Sequence, residues 1–186
     1  MKEPRISPLQ ETEWPEEARE TLESLRRDGV VYNIFATLAR HPKLLNRWLV
    51  FGNHILSKSS LPPRDRELAI LRVGYLCRAN YEWGHHVVIG KQVGLSQADI
   101  ERVVKGPDAA GWEPFESQII RAVDELHANS NVSESTWGAI AERYTTEQQL
   151  DFLFTVGQYK MVSLVLNTTG IELEPGFENL PNEIEG

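Results

Sequence analysis

Arg66-Glu67-Leu68-Ala69-Ile70-Leu71-Arg72-Val73-Gly74-Tyr75-Leu76-Cys77 decides the fold. Wound as a helix, its apolar residues cover most of the circumference instead of one stripe. A helix that is apolar nearly all round belongs in the middle of other helices. Leu61-Pro62-Pro63 breaks the pattern before it, so the spacing predicts a helix over residues 64–78. Outward from there the period stays helical. Further helices are read over 15–27, 32–40, 43–57, 81–93, 96–105, 114–128, 135–143 and 146–167. Gly94 ends one of them, and Ser96-Gln97-Ala98-Asp99 opens the next as a capping box. The last helix is apolar nearly all round, which suits a bundle centre or a subunit interface. No run alternates with the strand period. The chain reads as a single all-α, helical-bundle unit over 1–186, with a loose acidic tail over 171–186 that carries five glutamates.

The 186 residues suffice for a real core, and 41% hydrophobic with 25% charged residues is ordinary for a soluble globular protein. A net charge of −8 argues against a nucleic-acid partner and against docking on an anionic membrane. No segment reads as a spanning helix, and the N-terminus lacks a secretory signal, so the expected location is cytoplasmic. Cys77 is the one cysteine, which rules out an intrachain disulfide and a Cys-x-x-Cys pair.

The residues that suggest chemistry are Tyr81-Glu82-Trp83-Gly84-His85-His86, read with Glu67 upstream. Glu82 and His86 are four apart and share a helix face, and His85 flanks it. Glu67 reaches His86 only if the chain reverses near Arg78-Ala79-Asn80 and the two helices pack antiparallel. A Glu–His–Glu cluster among apolar helices suits general acid–base chemistry near neutral pH. It also suits a divalent metal, but no second Glu-x-x-His is present to complete a di-iron pattern, and no metal site is assigned. Plainer roles exist for each group. Glu82 and His86 also fit an exposed intrahelical pair, Glu67 a first-turn acid favouring the helix dipole, and Tyr81 and Trp83 ordinary core. Cys77 among apolar neighbours fits a buried, inert thiol, and Tyr159 fits either a pocket wall or the core.

Arg66-Glu67-Leu68-Ala69-Ile70-Leu71-Arg72, then Tyr81-Glu82-Trp83-Gly84-His85-His86, then Gly94-Leu95-Ser96 resembles the carboxymuconolactone decarboxylase family, which includes the AhpD-like alkylhydroperoxidases. The core of the resemblance spans residues 33–103. Asn33-Ile34-Phe35-Ala36-Thr37-Leu38-Ala39-Arg40-His41-Pro42 and Ala122-Val123-Asp124-Glu125-Leu126 resemble a longer subgroup. The resemblance implies an AhpD-like helical fold and a homo-oligomer. Aligned through the histidine, it places the family's glutamate on Glu67 and its histidine on His86, and its two cysteines fall on Ala79 and Glu82. Both thiols are therefore missing, and a dithiol peroxidase cycle needs both.

The decarboxylase branch works without cysteine or cofactor, so the resemblance implies acid–base chemistry on a small oxygenated organic acid or lactone. Glu67, Glu82 and His86 are the expected catalytic groups, with His86 as general acid or base and Glu67 orienting it. Arg72, Tyr81, His85 and Tyr159 are weaker candidates for substrate binding, Arg72 through a substrate carboxylate. The alternatives are an antioxidant peroxidase activity like that of AhpD relatives and a non-catalytic ligand-binding or assembly protein.

Overall fold

The computed structural model describes residues 3–181, which form nine α-helices and no strand. These are α1 (Glu16–Ser24), α2 (Asn33–Leu38), α3 (Pro42–Asn53), α4 (Pro63–Leu76), α5 (Asn80–Gln92), α6 (Gln97–Lys105), α7 (Pro114–Asn129), α8 (Glu134–Arg143) and α9 (Thr146–Thr169). A 3-10 turn, Glu11–Glu13, precedes α1, and a π-helical turn, His54–Lys58, prolongs α3. Ser96 caps α6 by accepting from the Asp99 backbone N–H, and the Asp99 carboxylate reaches back to Ser96, completing the capping box. No described helix is long and apolar enough to cross a membrane.

The central helix is α4. Every residue from Asp65 to Gly74 is buried, because α5, α7 and α9 pack around it. Leu68, Ile70 and Leu71 meet Ile119 and Ile120 of α7 and Phe152 of α9 in one core cluster. Each such side chain contributes on the order of 1.5–3 kcal/mol through burial. The long α9 behaves differently from a wholly buried helix. Phe152, Val156, Tyr159, Val162 and Leu166 face the core, while Leu150, Phe154, Met161 and Leu164 stand exposed on the other side.

The reversal between α4 and α5 is tight. Cys77 caps α4, Arg78 takes the left-handed conformation at φ 52, and the Ala79 and Arg78 N–H groups bond back to the Gly74 and Tyr75 carbonyls. That is a Schellman turn with arginine where glycine is usual. The turn lays α5 back along α4, where a Cβ on Gly74 would make ordinary van der Waals contact, 3.6 Å, with Cβ of Glu82. The two helices therefore run antiparallel, with Glu67 facing His86.

Residues 171–181 are not a loose tail. They form a strap laid over α5 and the start of α2. Ile171 is buried, the Glu172 carbonyl accepts from Asn33 Nδ2, and Leu180 N–H donates to Asn80 Oδ1. Glu178 pairs with Lys91. Leu173 packs so closely on Gly84 that an added Cβ would sit 2.7 Å from its Cδ2. The acidic pattern misled because charge alone does not report a partner, and here the acids find partners on α5. Glu183 and Glu185 lie outside the described residues.

Candidate functional site

The α4–α5 hairpin brings Glu67, His86 and Glu82 into a line. His86 Nδ1 lies 2.6 Å from Glu67 Oε2, and His86 Nε2 lies 3.0 Å from Glu82 Oε1. Arg66 Nε donates to the other Glu67 oxygen at 3.1 Å. All four side chains are buried, Glu67 completely. Burial opposes a charged imidazole, but the adjacent Glu67 and Glu82 carboxylates outweigh it and push His86 up to about 9. At neutral pH the ring is thus an imidazolium donating one N–H to each carboxylate. Among the described residues no group of three or more His, Cys, Asp or Glu side chains is arranged to hold a metal ion.

Glu82 and His86 form part of the wall of a cavity of about 560 Å³. Glu67 stands behind His86, away from that wall. Tyr159 of α9 sets its ring edge-on to His86, with ring centres 4.8 Å apart. Burial, reinforced by the Glu82 and Glu67 charges, pushes its phenol well above the usual range, so it is a neutral hydroxyl. Rings of Tyr32, Phe35, Trp48 and Tyr81 close much of the remaining wall. The volume suits a small organic molecule.

His85 also lines the cavity, but in a separate cluster. Its Nε2 lies 2.7 Å from Glu174 Oε2, and its ring packs between Tyr32, Tyr81 and Phe177. Glu174 comes from the strap. It also accepts from Tyr81 Oη at 2.9 Å and from the Asn33 backbone N–H at 2.6 Å. Burial opposes its ionisation, yet the His85 and Asn33 hydrogen bonds hold the carboxyl below the ordinary range. Glu174 was missed in the sequence because its partners are 89 and 141 residues away. The apolar–acid alternation Ile171-Glu172-Leu173-Glu174 was the one available signal of a packed extended segment.

Arg72 is not in the site, and its assignment to a substrate carboxylate is corrected. It is held by both oxygens of Asp124 at 2.6 and 2.9 Å and donates to the Val103 and Val104 carbonyls. This fork ties α4 to α6 and α7. Such a fully used guanidinium has nothing left for a ligand. Cys77 also lies away from the cavity lining. It is half-buried with Sγ 3.7 Å from His127 Nδ1, and burial pushes the thiol up. Ala79, where the resemblance sets the first thiol, is wholly buried at the turn.

Comparison with known proteins bears on the all-helical scaffold that holds the Glu67–His86–Glu82 line. Residues 42–125 match the carboxymuconolactone decarboxylase family, and the chain has a single cysteine where a dithiol member needs a pair. No curated protein matches the sequence. Among solved structures the chain is similar to an alkylhydroperoxidase AhpD core, an uncharacterized peroxidase-related protein from Ralstonia eutropha JMP134. Identity is 19%, coverage 91% of this chain and 93% of that one, and the TM-score 0.78. A peroxidase-related protein from Silicibacter sp. TM1040 is similar at 17% identity, 95% coverage of both chains and a TM-score of 0.80. The debrominase Bmp8, solved as a variant in complex with 2,3,4-tribromopyrrole, is similar at 15% identity, 91% coverage of both and 0.71. At these identities the likeness establishes the AhpD-like fold alone.

Proposed function

We propose that the chain is a cofactor-independent acid–base enzyme, decarboxylase or lyase in type, acting on a small oxygenated lactone or acid. The observation that carries this reading is the buried line Glu67–His86–Glu82, which ends at the wall of a partly open, aromatic-lined cavity. Glu82 is the group that exchanges a proton with substrate carbon. His86 beneath it stabilises the Glu82 carboxylate and can return a proton to it, while Glu67 and Arg66 fix the ring. In a decarboxylation, the electron pair of the breaking carbon–carbon bond flows into the conjugated lactone carbonyl. Carbon dioxide leaves, and the carbon takes its proton from this pair.

A test uses α-angelica lactone, whose α-carbon is acidic enough to report proton transfer. Incubated in deuterated water and followed by NMR, it should exchange its α-proton faster with the protein than in buffer. Glu82→Gln and His86→Ala should reduce that rate to background while circular dichroism shows folded protein. Full exchange in both variants would remove the acid–base reading. Absence of any exchange with the unaltered protein would favour a binding role. A thiol-peroxidase role is opposed by the single, half-buried Cys77, and hydroperoxide consumption lost in Cys77→Ser would restore it. The reading includes a homo-oligomer, supported by the exposed apolar side of α9.

A further inference from the structure

Gln158 lies on α9 immediately before Tyr159, is only 4% exposed, and lines the same cavity. Its Oε1 is sealed in the wall with no hydrogen-bond partner among the described residues. Its Nε2 is turned toward Gly52 of α3, where an added Cβ would stand 3.7 Å away. Gly52 itself lines the cavity, so the missing side chain keeps space open beside the carboxamide. A glycine in a helix interior costs about 1 kcal/mol relative to alanine. The buried, unpartnered Oε1 adds a desolvation cost of about 1–3 kcal/mol. Because Oε1 is sealed away, the end of the carboxamide left for a ligand is Nε2, beside the space at Gly52.

We infer that Gln158 donates its Nε2–H to the carbonyl oxygen of the substrate, making it a catalytic residue for an enolisable carbonyl compound. This rests on the acid–base reading for the catalytic part and on the cavity alone for the binding part. The charged groups at this end of the cavity are paired within the protein, so the carbonyl oxygen is met by a neutral donor. At the His86 end, the Glu67 and Glu82 carboxylates are balanced by the His86 imidazolium and the Arg66 guanidinium, and Arg72 is tied to Asp124. Arg27, the cavity's guanidinium, is exposed and donates to the Ser24 and Arg26 carbonyls. In the reaction, Glu82 accepts the proton from the α-carbon. The C–H electron pair forms the new carbon–carbon double bond, and the carbonyl π pair moves onto oxygen, where Gln158 Nε2–H meets it. Return of the proton from Glu82 to carbon closes the cycle with no further reactant. A donor aimed at the oxygen that gains charge is the usual means of stabilising such an enolate.

The binding part is tested with γ-butyrolactone and tetrahydrofuran, rings of one size that differ in the carbonyl. Ligand-detected NMR should show the lactone binding about tenfold more tightly to the unaltered protein. Gln158→Leu and Gln158→Met should bind both rings equally. Persistence of the carbonyl preference in the folded variants overturns the inference, as does equal binding to the unaltered protein. For the catalytic part, α-angelica lactone exchange should fall by about 10²-fold in both variants. If the binding difference vanishes as expected but His86→Ala still exchanges at full rate, carbonyl recognition stands and the acid–base reading alone fails. If exchange is lost in His86→Ala but unchanged in the Gln158 variants, the catalytic role of Gln158 fails alone.

Discussion

His86 gives both of its ring protons to carboxylates, and this fixes how the protein responds to pH. Its folded-state value of about 9 lies above the ordinary 6.5. The stabilisation is therefore complete below about 6.5 and is lost as pH rises through about 9. Thermal melts should show the midpoint falling across that window, and Glu67→Gln should move the fall to lower pH. An alkaline fall unchanged in the variant would mean another group causes it. His86→Ala leaves two buried carboxylates without their partner and should cost about 3–5 kcal/mol in urea unfolding. At this scale the sequence was half legible. Glu82 and His86 are neighbours by helical spacing alone, and Glu67 follows once the hairpin is antiparallel. Arg72 was misread because its true partner, Asp124, lies 52 residues further on, and a guanidinium's sequence neighbours do not reveal which carboxylate it will meet.

At the scale of elements, the strap over α5 governs one side of the cavity. Glu174 receives hydrogen bonds from His85, Tyr81 and the Asn33 backbone, so Glu174→Ala strands three donors and should cost about 2–3 kcal/mol. Its carboxyl is held below the ordinary 4.5, so this contribution is present above that value and is lost as pH falls through the lowered one. Glu174→Gln should accordingly flatten the acid side of the stability profile. Gly84→Ala should push Leu173 outward at a cost of about 1–3 kcal/mol. Hydrogen exchange at the Leu180 amide, which donates to Asn80, should then quicken. Unchanged protection would show that the strap does not depend on that close packing. Helix positions were legible to within a few residues from apolar period, caps and prolines. The strap was not, because an extended segment pinned by individual hydrogen bonds leaves no periodic signature.

For the whole molecule, α9 carries two opposed faces. One fills the core and brings Gln158 and Tyr159 to the cavity. The other exposes Phe154 at 57% and Leu164 at 63%, spaced with Leu150 and Met161 at intervals of four, seven and three. That spacing suits an interhelical seam, and a second copy of the chain is its proposed cover. Sedimentation should find an assembly larger than one chain, and Phe154→Glu with Leu164→Glu should reduce it to monomer. A monomeric unaltered protein would end the proposal. Apolarity all round the helix was legible in the sequence. Which side met the core was not, because that depends on where α4 and α7 lie.

The short loop at Arg78 also has a meaning in time. Glu67 and His86 are 19 residues apart, whereas the strap's anchors to α5 and α2 span 89 and 141. Contacts that close short loops form sooner than those that close long ones. By that rule the Glu67–His86 pair is expected to form at the early, local stage of folding, ahead of the strap that walls the cavity.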